Sequence, residues 1–232
     1  MSVDLARILK YDILSELQTA YEEHDLLRHI NNLSQLDKNF SQIEWSEASN
    51  DFVSDCKKYF TDIVIPHKQH VANAGLDLIE SKIFVEYGID KKAFANRLVH
   101  HDLSKFSYIE ASGYVHKHFG QIDFRSQEFK LAWHHHKAHN DHHAQYWYDI
   151  DSKGKLSCLD MSPIAIFEMF ADFIGAGMTY GKTFEEWFPK NCQNFILSEL
   201  TAKIVSHIAA SLLDRQVTCH RHEKIAGMYV KC

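Results

Sequence analysis

The chain has 232 residues, 45% hydrophobic and 24% charged, with a formal net charge of −6. That balance excludes wholesale disorder, allows a core of domain size, and leaves no strong basic footprint for duplex nucleic acid. Nine Gly and three Pro disfavour a turn-rich β-sandwich, whereas 17 His is unusual, ten of them lying between His100 and His143.

From the N-terminus, Leu5, Leu9, Ile13 and Leu17 recur at helical spacing. Asp12 and Glu16 interrupt this segment, so it is not a secretory h-region. Nowhere does an apolar run approach the ~20 residues of a membrane span. The five cysteines are scattered, with no C-x-x-C pair, and read as free thiols. A cytoplasmic protein with no membrane partner is expected.

Residues 24–45 are weakly periodic. Phe52, Cys56, Tyr59 and Ile63 form an apolar stripe, with Ser46 as the expected cap. Pro66 predicts the first turn of a new helix carrying Val71, Ala74 and Leu78 and ended by Gly88. Asp90, Ser107, Ser126 and Ser162 are expected to cap four further helices. Residues 152–160 read as a loop. Gly175, Gly177 and Gly181 mark the end of the helix begun at Pro163, and a last helix is expected over 195–213. No convincing strand pattern occurs. The fold class is all-α, with roughly eight to ten helices.

Four places put polar residues where helix faces should be apolar. His67 lies one turn before Val71 on the same face; alone, it reads most simply as a surface histidine at a helix start. His100-His101-Asp102-Leu103-Ser104-Lys105 follows an apolar turn. Its adjacent imidazole and carboxylate suit Zn, Fe, Mn or Mg, and Lys105 could hold an anion beside a metal. A helix C-terminus favours one histidine, which leaves the rest of that pattern unexplained. In the run from Trp133 to Trp147, helical spacing would align His135, His139 and His142 on one face and His136, Asn140 and His143 on the next. A His-rich surface tract is the plainer alternative. Glu168 and Asp172 share a face in an apolar context, where a carboxylate is expensive to bury unless paired or bound to a cation.

Taken in order, these residues resemble the HD superfamily of metal-dependent phosphohydrolases. His67 matches its first-ligand helix, His101-Asp102-Leu103-Ser104-Lys105 its central motif, and Ala171-Asp172 its late Ala-Asp. Leu103 and Ser104 replace the usual Ile and Gly. A closer resemblance is to a little-characterised HD-like family, a domain of unknown function. It carries His-Asp-x-Ser-Lys-Phe, then Ala-Trp-x-His-His-x-x-x-Asn-x-His-His-x-x-Tyr-Trp, then Glu-Met-x-x-Asp. All three motifs recur here, within about residues 60–190.

The resemblance implies an HD-like helical bundle over 56–232 preceded by a helical extension over 1–55. It implies that His67, His101, Asp102 and Asp172 hold one divalent metal. Two of His135, His136, His142 and His143 would hold a second metal or the substrate phosphate. The ions could be Mn, Mg, Zn or Fe. Asp102 and Lys105 would act in catalysis, and Glu168 would orient a ligand histidine. Asn140 would orient a ring or, with Lys105, contact substrate. The expected activity is hydrolysis of a small phosphate ester, a nucleotide among the candidates, and the protein could form a homodimer. A di-iron oxygenase and a non-catalytic metal-containing nucleotide-binding module are the alternatives. Trp133 and Trp147 are expected to pack. His116, His118 and His207 have no assigned role, nor have His24, His29, His220 and His222.

Overall fold

The computed structural model describes residues 49–150 and 152–214. The expectations for Leu5 to Leu17, residues 24–45, Ser46, the bulk of the 1–55 extension and the four outermost histidines lie outside them. What is described is all-α apart from one small hairpin.

Helix α1, Asn50–Tyr59, is capped by Ser49, whose hydroxyl accepts from the Phe52 amide. It does not end before Pro66. One wide π-helical turn, Phe60–Val64, joins it directly to α2, Ile65–Ile79. Pro66 lacks an N–H and crowds the carbonyl four residues back, so a widened turn lets the helix pass through it. The proline does stand in the first turn of α2, but that turn follows the π turn without a break. The α2 helix stops at Ile79, and a short α3, Lys82–Glu86, lies between it and Gly88. Helix α4, Lys91–His100, has the expected Asp90 cap. A 3-10 turn, Leu103–Phe106, leads to α5, Tyr108–His118, and then to α6, Gln127–His139, capped by Ser126.

A second 3-10 turn, Ala144–Trp147, feeds β1, Tyr148–Ile150. This pairs antiparallel with β2, Leu156–Cys158, Asp149 opposite Ser157. The segment expected to be a loop is thus half of a hairpin too short for a period-2 pattern. Ser162 and Pro163 start α7, Pro163–Tyr180. It runs on through Gly175 and Gly177 and ends only at Gly181, whose φ of 77° a side chain would strain. Helix α8 is Phe184–Asn191, followed by a 3-10 turn, Cys192–Asn194, and α9, Glu199–Leu213.

Helices α2 and α7 pack along each other most extensively, and α5 with α6 forms the second pair. Gly175 lets the first pair approach: a Cβ there would sit 2.6 Å from the Val71 backbone nitrogen. Two apolar clusters result. The larger gathers Val71, Phe84, Phe94, Phe167, Phe170 and Ile208. The smaller gathers Phe52, Cys56, Phe60, Phe106, Ala111 and Val115. The chain crosses from one to the other between Ile65 and Val71, and again between Leu98 and Leu103. His67, Lys68, His101 and Asp102, all buried, fall in those crossings. No helix among the described residues is long and apolar enough to cross a membrane.

Candidate metal centre

Asp102 is the pivot. It is 2% exposed, and its backbone is left-handed, φ 56°. Aspartate tolerates that conformation better than most residues but still at a cost. Lys68 of α2, itself buried, holds the turn by donating to the carbonyls of His101 and Val99. A cation at the C-terminal end of α4 also complements the helix dipole. Burial pushes the Lys68 ammonium down to about 8.

The two oxygens of Asp102 face two different groups. Oδ2 lies 3.6 Å from His67 Nε2, 3.4 Å from His101 Nε2 and 2.7 Å from Lys105 Nζ. Oδ1 lies 3.6 Å from His136 Nε2 and 3.5 Å from His142 Nε2. Asp172 Oδ1 closes the first group, 3.2 Å from His67 Nε2 and 3.6 Å from His101 Nε2. His143 Nε2 closes the second, 2.9 Å from His136 Nε2. The donor sets are therefore His67, His101 and Asp172 on one side, and His136, His142 and His143 on the other, with Asp102 between. Each offers atoms close enough together to hold a metal ion.

The fit can be tested on polar satisfaction. Buried polar atoms nearly always find a partner. His101 Nε2, His142 Nε2 and Asp102 Oδ1 are buried without a hydrogen bond, and all three point into the cluster. The far side is tied down in three of the rings, whereas His67 Nδ1 is buried without a partner. His101 Nδ1 donates to Glu168 Oε1 at 3.0 Å, and His142 Nδ1 lies 3.3 Å from the same oxygen. His136 Nδ1 donates to Glu110 Oε2 at 2.9 Å. An imidazole whose Nδ1–H is engaged by a carboxylate presents the Nε2 lone pair, the arrangement usual for ligand histidines. Glu168 also lies near enough to His101 and His142 to count as a third donor group, but those contacts are the Nδ1 hydrogen bonds. Its role is to orient.

The electrostatics of the two carboxylates and of His143 agree, whereas His67 and His101 are raised by the carboxylates beside them. Burial pushes the Asp102 carboxyl up, but His101, Lys105 and His136 outweigh it and hold it well below the usual range. Asp172 is lowered likewise, burial being overcome by His101 and His67. Burial and the neighbouring His142 and His136 push His143 well down, so it stays neutral, as a ligand must. Burial and Lys105 work against protonated His67, yet contacts with Asp102 and Asp172 leave it raised.

Most of the expected site residues converge. His135 does not: its Nδ1 donates to Glu110 Oε1 at 2.7 Å and its ring stacks on His139 at 3.8 Å, away from Asp102. The helical-face argument fails after His139, because α6 stops there and Asn140 turns the chain. His142 and His143 return through a non-helical turn. Asn140 is not among the cavity-lining residues, but its amide lies 3.3 Å from the His136 ring at Nδ1. It is buried, and its amide donates to Ser104 Oγ at 2.6 Å and the His136 carbonyl at 2.7 Å, which holds that turn. Trp147 packs, with its indole N–H on the Asp141 carbonyl at 2.6 Å. Trp133 instead lines a cavity of about 380 Å³ beside the cluster, stacked on His136. His118 also lines it.

Three residues at the site had no place in the sequence reading. Arg97 bridges Glu168, Nε to Oε2 at 2.7 Å, and Asp141. Its position one turn before His101 was the available signal. Lys68 was hidden beside His67. Glu110 follows Ser107 in the Ser-x-x-Glu order of a capping box. The structure uses it otherwise: the Ser107 hydroxyl donates to the Ser104 carbonyl, and Glu110, fully buried, serves the two histidines. We expect Arg97→Ala to weaken metal retention about 10–100-fold, as loss of an outer orienting partner does. Titration of the metal-free variant with Zn or Mn checks this; wild-type affinity would show that Glu168 needs no partner.

The fold and site thus define an all-α protein with buried His and Asp groups that could hold metal. The model of the Family of unknown function (DUF5662) matches residues 56–211, and the chain belongs to that family. No curated protein and no solved structure matches it.

Proposed function

We propose that the protein is a metal-dependent phosphohydrolase of the HD type, acting on a small phosphate ester. The observation that carries this reading is the Asp102 carboxylate set between two donor groups at the wall of an open cavity. His67, His101, Asp102 and Asp172 would hold one divalent ion; His136, His142, His143 and the other Asp102 oxygen would hold a second. When bound, such ions supply Lewis-acid polarisation of a phosphoryl oxygen and a water acidic enough to attack near neutral pH.

The chain's own residues do the rest. Lys105 is locked on Asp102, and its ammonium stays charged because that carboxylate outweighs burial. It therefore offsets phosphoryl charge at the cavity wall. Glu168 and Glu110 fix the rings of His101, His142 and His136, so the ligand atoms need no rearrangement. Carboxylate and imidazole donors together favour Mn, Mg, Zn or Fe over soft-thiolate metals.

The test is elemental analysis of the full chain, then a panel of phosphomonoesters and phosphodiesters with the metals found. Stoichiometric divalent metal and phosphate release are expected, both lost in the His101→Ala, Asp102→Ala double variant. Unchanged metal in that variant would sink the site assignment. Two irons with a mixed-valence resonance signal and no phosphate release would instead favour the oxygenase. Ligand binding without turnover would favour a sensing module.

A further inference from the structure

We propose that Tyr114 and Lys105 form a phosphoryl-binding subsite at the inner end of the cavity, the Tyr114 hydroxyl donating to a substrate oxygen that no metal contacts. This rests on the phosphohydrolase reading and adds a residue to it. Tyr114 is on α5 and lines the cavity with Lys105 and Asp102. Its hydroxyl is shielded from solvent and has no hydrogen-bond partner in the fold. A buried hydroxyl without a partner is unfavourable, so such a group is kept where a ligand completes it. The ring cannot easily turn away. It stands edge-on to Phe129 at 5.6 Å and to His136 at 5.9 Å.

The chemistry of the neighbours selects an anion. Lys105 is the charge nearest the cluster, and Tyr59, Tyr114 and Tyr180 are all close enough to act on it. Along the same face of α5, at i+3 and i+4, stand Lys117 and His118, both exposed and both on the cavity wall. The cavity wall thus carries the cations Lys105 and Lys117 beside the Asp102 and Asp172 carboxylates, and Tyr114 adds a neutral donor among them. A phenol, pKa about 10, remains a donor at neutral pH. A phosphate ester in the cavity would have Lys117, Tyr114, Lys105 and residues of both donor sets on its walls.

Tyr114→Phe removes only the oxygen. The experiment compares the metal-loaded full-length wild type with this variant, using inorganic phosphate as the calorimetric probe and the ester that turns over best for kinetics. We expect unchanged metal content, phosphate affinity weakened about 10-fold or more, and a KM raised more than kcat is lowered. Equal phosphate affinity in the two proteins would overturn the subsite. Loss of metal in Tyr114→Phe would overturn it too, because a hydroxyl with no protein partner has none to lose. A wild type that retains metal yet neither binds phosphate nor releases it from any ester would refute the phosphohydrolase reading itself, a result distinct from equal affinities.

Discussion

Asp102→Asn is expected to abolish stoichiometric metal binding, and with it the hydrolysis proposed above. The replacement keeps the shape of the side chain and suits a left-handed backbone as well as aspartate does, so the φ of 56° is not at issue. What changes is charge and donor count. One oxygen becomes an amide nitrogen, so one of the two donor sets loses its share of Asp102. The loss should exceed the about 10–100-fold typical of an orienting partner, because Asp102 would touch the ions directly. Lys105, 2.7 Å from Oδ2 and largely shielded with it, would be left without its counter-charge. Breaking such a pair from one side costs on the order of 3–5 kcal/mol. Elemental analysis and denaturant unfolding of the metal-free protein measure the two effects separately. A variant that binds two equivalents of metal as wild type does would remove Asp102 from its bridging place.

The second large effect is steric. Gly175→Ala should destabilise the fold by about 1–3 kcal/mol, the usual range for overpacking a close contact. The added methyl would lie 2.6 Å, 2.7 Å and 2.8 Å from Val71 N, Cγ2 and Cα. Two of these are backbone atoms of a helix, so relief requires α2 and α7 to part. Alanine's better helix propensity returns about 1 kcal/mol, so the net loss holds because contacts under 3 Å to helix backbone put the clash at the upper end of the overpacking range or beyond. The site should feel the same displacement. His67 lies one turn before Val71, and Asp172 one turn before Gly175, and the 3.2 Å between them is set by that helix pair. Thermal unfolding with and without added metal should therefore show lower stability and a smaller metal-induced rise. An alanine variant as stable as wild type, with the same rise, would mean the pair can separate freely.

Much of this molecule was legible in the chain. Asp90, Ser126 and Ser162 start helices where a short polar side chain must meet an unpaired amide, a local requirement that needs no partner elsewhere. Polar residues at His67, His101, Asp102, Glu168 and Asp172 stood out because they interrupt apolar faces. Local rules misled where two of them competed. Pro66 reads as a helix start, yet packing of Phe60 and Val64 in the smaller cluster keeps the helix continuous through a π turn. Ser107 reads as a cap, yet its hydroxyl donates to the Ser104 carbonyl and makes no side-chain capping bond to α5.

The sequence by itself determined the helices, their caps and the identity of most donor atoms, because each depends on spacings of a few residues. The tertiary structure decided which donors meet. It turned His135 aside to Glu110, brought His143 to His136 after α6 had ended, and aimed opposite oxygens of Asp102 at two groups from four segments. It also supplied Arg97, Lys68, Glu110 and the unpartnered Tyr114 hydroxyl. Contacts between residues as far apart in the chain as His67 and Asp172 follow from helix packing at Gly175 and its like, and no periodicity encodes them.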